Sequence, residues 1–191
     1  MTTNLMIVGV GGQGTLLASR LLGYVFQKKG YDVKISEVHG MSQRGGSVVT
    51  YVRFGEKVYS PIVSTGEADF IVAFEKLEAG RYVSCLKKGG TLVTNTGRID
   101  PMPVITGAAA YPEDVLSHLE ERGVRVDGID AMTLAREAGS EKAVNTVLMG
   151  RLSTYFDFPE EDWMEAIDAV VKERFRDLNK KAFRLGQGTT V

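Results

Sequence analysis

The sequence predicts an α/β fold, a three-layer Rossmann-like domain in which helices flank a mostly parallel but mixed sheet. Three observations carry this reading. Apolar runs of strand length alternate with segments of helical periodicity from Leu5 to Ile129. A glycine-rich turn joins the first such run to the first helix. A β-branched, alternating run at Ser47–Phe54 reads as one arm of a hairpin that turns back at Gly55–Lys57, so the sheet is mixed.

Taken in order, Leu5–Val10 is a short apolar run closed by glycines and reads as a buried strand. Thr15–Lys29 follows as a helix that stops at Gly30, with Leu17, Leu21 and Val25 four residues apart. Val33–Val38 is the second strand. The resulting β-α-β unit is expected to cross over right-handed into a parallel pair. Ser47–Phe54 (SVVTYVRF) is expected to turn at Gly55–Lys57 and pair with Val58–Pro61 as a hairpin.

Further along, Asp69–Phe74 is a buried strand, Glu75–Leu86 a helix and Thr91–Thr94 a strand. Pro101–Pro112 is irregular, Glu113–Arg122 a helix and Val124–Ile129 a strand. Asn145–Phe156 is apolar on most sides, as a buried helix would be, and Pro159 opens another with an acidic first turn. The spacing of Trp163, Ile167, Val170 and Val171 marks a core stripe rather than a cofactor box. No linker, repeat or low-complexity stretch divides the chain. Residues 1–177 therefore read as one domain, and residues 178–191 (LNKKAFRLGQGTTV) as a flexible or partner-docking tail.

Composition narrows the function. The chain has 191 residues, of which 43% are hydrophobic and 25% charged, with a net charge of −1. That balance gives no field for nucleic acid or an anionic membrane. No stretch approaches the ~20 apolar residues of a membrane span, and the N-terminus lacks a basic segment typical of a signal peptide. One cysteine, Cys85, forms no internal disulfide and fits the cytoplasm. It also excludes a four-cysteine iron–sulfur cluster held by this chain alone. With only His39 and His118, a zinc site of the usual spacing is absent.

Two loops carry the chemistry. Gly9-Val10-Gly11-Gly12-Gln13-Gly14 satisfies G-x-G-x-x-G between a strand and a helix, where backbone N–H groups can approach an anion. A glycine turn is equally a way to pack a strand on its following helix, so the motif alone leaves phosphate binding open. Against a dinucleotide site, the acidic residue expected ~20 residues after the loop would have to be Glu37, which is followed by Val38, His39 and a second polar loop. That loop, Gly40-Met41-Ser42-Gln43-Arg44-Gly45-Gly46, lies on the carboxyl edge of the sheet and should face the first. Arg44 offers a planar fork for carboxylate or phosphate, and His39 titrates near neutrality. Ligand contact, subunit interface and simple loop stitching all fit these residues.

GVGGQGTLLASRLLG, then SEVHGMSQRGGSVVTYVRFG, then Ser60–Pro61, resemble the gamma subunit or domain of the 2-oxoacid:ferredoxin oxidoreductases. The wording EVHGMSQRGGSV is most similar to the small (beta) subunit of indolepyruvate ferredoxin oxidoreductase. The resemblance implies a subunit, inactive alone, of a complex that oxidatively decarboxylates a 2-oxoacid, forms an acyl-coenzyme A and passes electrons to ferredoxin. It implies thiamine diphosphate and iron–sulfur clusters in larger partner subunits, with none held by this chain alone. Gly11, Gly12, Gln13 and Gly14 would then offer backbone donors to a coenzyme A phosphate or a partner loop, with His39, Gln43 and Arg44 along the same edge and no catalytic residue in the chain. An isolated subunit of this kind can homodimerise through surfaces meant for a partner. A stand-alone dinucleotide-binding oxidoreductase and a regulatory binding module of the same fold are the alternatives.

Overall fold

The computed structural model describes residues 2–38 and 45–188. Six strands form one sheet in the order β2-β3-β1-β4-β5-β6. They are β1 (Thr2–Val10), β2 (Asp32–Glu37), β3 (Ser47–Gly55), β4 (Ala68–Ala73), β5 (Leu86–Asn95) and β6 (Arg125–Ile129). β1, β4, β5 and β6 pair in parallel, whereas β3 runs antiparallel to both of its neighbours. β1 is central and covered on both sides, which is why Leu5–Val10 is uninterruptedly apolar rather than alternating.

Eight α-helices are described. α1 (Thr15–Lys28), α5 (Ala131–Ala138), α6 (Val144–Ser153), α7 (Glu160–Val170) and α8 (Arg176–Gly188) build one layer. α2 (Lys76–Tyr82) and α4 (Val115–Glu121) cover the other face, and α3 (Met102–Ile105) is a single turn after β5. Leu5 and Ile7 point to the first layer, Met6 and Val8 to the second, as the period of two requires.

The structure corrects three expectations. β1 and β2 run in the same direction but do not pair, because β3 lies between them in register with nine residues of β1, from Thr2↔Gly55 to Val10↔Ser47, and with all of β2. Pairing on both sides satisfies its backbone groups, and Phe54 stacks on Phe26 of α1 with ring centroids 3.7 Å apart. The mixed sheet therefore comes from β3 inserted antiparallel between β2 and β1, not from the expected hairpin with Val58–Pro61. Val58–Pro61 forms no strand. Pro61 has no N–H for a ladder, and the Arg53 guanidinium takes the carbonyls of Ser60 (2.9 Å) and Ile62 (3.0 Å) instead.

The third correction concerns the tail. Residues 178–188 lie in α8, with Ala182 and Phe183 fully buried, and only residues 189–191 fall outside the description. Two glycines explain the docking. A Cβ on Gly150 of α6 would lie 2.0 Å from the Phe183 carbonyl oxygen, and one on Gly186 would lie 2.0 Å from that of Val147. The two helix backbones touch where neither residue has a side chain.

Candidate functional site at the carboxyl edge

β1, β2, β4, β5 and β6 all end on one edge of the sheet, and β3 begins there. The chain leaves β1 toward β2 on one side and later enters β4 on the other. The crevice between β1 and β4 is thus a topological switch point, where open α/β sheets bind ligands.

The first glycine loop is fastened from within. Gly14 caps α1 at φ +86°, and a Cβ there would stand 2.4 Å from the Asn145 amide nitrogen. That amide donates to the Gly14 carbonyl at 3.2 Å. The Gln13 side chain accepts from the Val10 N–H (2.7 Å) and donates to the Phe74 carbonyl at the end of β4 (3.0 Å). Asn95 repeats the device one strand further on, donating to the same Phe74 carbonyl (3.2 Å) and accepting from the Ala131 N–H (3.1 Å). Side-chain amides therefore seal the strand ends from β1 to the start of α5.

The two glycine loops do meet. Gly11 donates to the Gly46 carbonyl at 2.8 Å, and Gly45 donates to the Gly11 carbonyl at 3.3 Å. Of the four expected backbone donors, Gly11 is engaged by Gly46 and Gln13 by the Val10 carbonyl at 3.2 Å. Gly12 and Gly14 have no backbone partner among the described residues, so they and the first turn of α1 are the groups open to an anion. His39, Gln43 and Arg44 lie outside the described residues.

This backbone contact forms a ridge between two clefts. On the α1 side, a cavity of about 320 Å³ is lined by Gly12, Gly14, Thr15, Leu16, Glu37 and Val38 among others. On the α2 side, one of about 250 Å³ is lined by Gly45, Gly46, Ser47, Glu75, Glu78 and Met102 among others. Glu78 is buried, accepts from the Ser47 hydroxyl and pairs with Arg81 at 3.1 Å. Burial pushes its carboxyl up, against the opposing pull of Ser47 and Arg81.

The geometry does not suit a dinucleotide. Glu37 accepts a hydrogen bond from Ser19 of α1 at 2.9 Å. Its strand stands two spacings from β1, roughly 9–10 Å rather than one spacing of about 4.8 Å, because β3 intervenes. Nor do the residues present fit an iron–sulfur cluster. Cys85 is the single cysteine, and among the described residues no group of three His, Cys, Asp or Glu side chains could hold a metal ion.

Sequence reasoning did not anticipate Asn145, Asn95 or Glu75. Asn145 meets Gly14 across 131 residues of chain, and no local pattern signals it. Glu75 did carry a signal, as a carboxylate heading a helix.

A match to the pyruvate ferredoxin/flavodoxin oxidoreductase family spans residues 4–188. The chain belongs to that family. Over 188 residues it is 47% identical to the indolepyruvate oxidoreductase subunit IorB of Thermococcus kodakarensis, an alignment covering 96% of this chain and 93% of that protein. The gamma subunit of a keto/oxoacid ferredoxin oxidoreductase from Geobacter sulfurreducens shares its fold, with a TM-score of 0.73, 21% identity, and 97% and 94% of the two chains covered. So does 2-oxoglutarate:ferredoxin oxidoreductase from Magnetococcus marinus, at a TM-score of 0.75 and 20% identity, where 99% of this chain matches 32% of the longer one. The resemblance carried by the two glycine loops is borne out. The chain is a subunit of a 2-oxoacid:ferredoxin oxidoreductase complex rather than a stand-alone dinucleotide enzyme. No helix among the described residues is long and apolar enough to cross a membrane.

Proposed function

We propose that this chain is the small subunit of a cytoplasmic indolepyruvate:ferredoxin oxidoreductase. The complex takes an aryl 2-oxoacid, releases its carboxylate as carbon dioxide, joins the acyl group to the coenzyme A sulfur and passes the electron pair to ferredoxin. Thiamine diphosphate and the iron–sulfur clusters belong to the larger partner subunits. The observation that carries this reading is the 47% identity to an indolepyruvate oxidoreductase subunit along nearly the whole of both chains.

Within the complex, the chain borders the channel by which the acyl acceptor enters. Gly12 and Gly14, with the first turn of α1, face an anion there, either a coenzyme A phosphate or a partner loop. Gly11 and Gln13 hold the loop in shape, and His39, Gln43 and Arg44 are the side chains proposed to contribute to the same site. The open N–H groups beside the 320 Å³ cleft support this role.

The test is co-expression with the larger subunit, purification through a tag on this chain, and an assay of coenzyme A-dependent dye reduction with a panel of 2-oxoacids. Activity that needs this chain and prefers indolepyruvate is expected. Failure of the two chains to associate would overturn the assignment. Replacing Arg44 by Ala should raise the coenzyme A concentration needed for half-maximal rate without loss of assembly, and unchanged coenzyme A kinetics would remove Arg44 from the site.

A further inference from the structure

Five large apolar side chains at the carboxyl edge are exposed: Leu16, Val38, Ile99, Met102 and Ile105. Three of them lie on the segment 96–112, between β5 and α4. Met102 and Ile105, each 64% exposed, project from the single turn of α3.

This segment is firmly held at its base. Thr96 donates to the Ile129 carbonyl at 2.9 Å, and Lys76 donates to that of Gly97 at 3.4 Å. Beneath it sits Glu75, only 1% exposed, with both carboxylate oxygens engaged. One accepts the Leu77 and Glu78 N–H groups at 2.8 and 3.1 Å. The other accepts the Ile99 N–H at 3.3 Å and the Tyr111 hydroxyl. The Arg98 guanidinium lies 4.2 Å above the Tyr111 ring, with Lys76 at 5.1 Å. Pro101 and Pro103 stiffen the turn between these anchors. Apolar side chains presented outward on a segment already ordered from below are a preformed contact, since the entropy of ordering is lost before any partner arrives.

We infer that the segment 96–112 is a docking wedge, and that Met102 and Ile105 insert into an apolar socket on the larger subunit of the complex. This rests on the assembly reading above. The Magnetococcus marinus chain identifies the kind of occupant, because a unit of this fold forms 32% of it and continues into the same polypeptide. The Thermococcus kodakarensis relative, matched over 93% of its length, is named a subunit, so the corresponding contact is inferred to lie between chains. The wedge also forms one wall of the 250 Å³ cleft, through Ile99, Asp100, Pro101, Met102 and Pro103, so a subunit seated on it covers the edge that carries the glycine loops.

The experiment uses the co-expressed complex. The double variant Met102→Asp, Ile105→Asp is compared with Tyr59→Asp, a control at the opposite edge, where Tyr59 is 87% exposed. The wedge variant should keep the melting temperature of the free chain and bind the larger subunit at least about tenfold more weakly, the scale of a hot-spot pair. The control should bind as the unsubstituted chain does. Equal binding by the wedge variant overturns the inference. Loss of a homodimer with intact binding to the larger subunit also overturns it and assigns the wedge to a second copy. If the unsubstituted chain itself does not bind the larger subunit, the assembly reading is what fails.

Discussion

The two faces of the sheet are built differently. On one, α1 and α5–α8 bury a continuous core in which Phe26, Phe54, Phe156, Phe158, Trp163 and Phe183 meet ring to ring. On the other, two seven-residue helices cover a smaller cluster around Met6, Val8, Ile71 and Leu92. The buried carboxylates Glu75 and Glu78 lie on this thinner side, beside the α2-side cleft and the wedge. The difference suggests a division of labour. The thick face supplies stability, and the thin face leaves its loops and clefts free for contact, as binding surfaces drawn from the less stable parts of a fold do.

The strongest way to break this comparison is to overfill the thick face. A methyl group added by Gly150→Ala would collide with the Phe183 carbonyl, which is backbone and cannot rotate away. We expect a loss of about 3 kcal/mol in urea unfolding, at the upper end for overpacking. Leu119→Ala on the thin face, where Leu119 is buried in the smaller cluster, should cost nearer 2 kcal/mol, the lower end for cavity formation. Equal losses would show that stability is shared between the faces, and a greater loss for Leu119→Ala would place more of it on the thin face.

A third substitution probes the seam where the faces meet. Gln13→Ala removes the acceptor for the Val10 N–H and one of two donors to the Phe74 carbonyl. The cost should be about 1–2 kcal/mol, mostly from the Val10 N–H left without its partner. Amide exchange at Val10 should rise well before global unfolding. Unchanged protection there would mean that the backbone contacts of Gly11 and the Asn145–Gly14 bond hold the loop without the Gln13 side chain.

How far these features were legible follows from the range of the interactions. Strands and helices with strong periodicity could be read because local pattern determines them. The two glycine loops were expected on one edge and do meet there, but their contact extends the antiparallel β1–β3 ladder rather than a parallel pair. The position of β3 could not be read, since SVVTYVRF suits an edge hairpin and an inserted strand equally until its partners are known. α8 escaped because Lys180, Lys181 and Arg184 dominate its composition, although Ala182, Phe183 and Gly186 share one face. α5 escaped as well. Its signal was Asp130, which caps it by accepting the Thr133 N–H at 3.0 Å, together with Gly139 at φ +117° closing it. At the site, Gln13 stood in a motif associated with ligands, yet its side chain serves the ends of two strands, and a single sequence does not distinguish those uses.

The smallest expected effect separates the faces by alkaline titration. Tyr155, on the thick face, donates to Asp127 at 2.7 Å beside the Asp127–Arg151 pair. Burial first and this hydrogen bond second push its hydroxyl up from 10.0 to about 12. Tyr111, on the thin face, is raised as well, by burial and then by Glu75. For a group whose proton is held more tightly in the folded chain, the stabilisation is complete below the unfolded value and is lost as pH rises through the folded one. Between pH 10 and about 12 the protein should therefore lose stability as the Tyr155 contribution disappears. Tyr155→Phe should flatten that decline without removing it, because Tyr111 still resists ionisation. Should Tyr155→Phe leave the alkaline melting curve unchanged, the Asp127–Arg151–Tyr155 group would not couple to folding, and the thick face would owe its stability to packing alone.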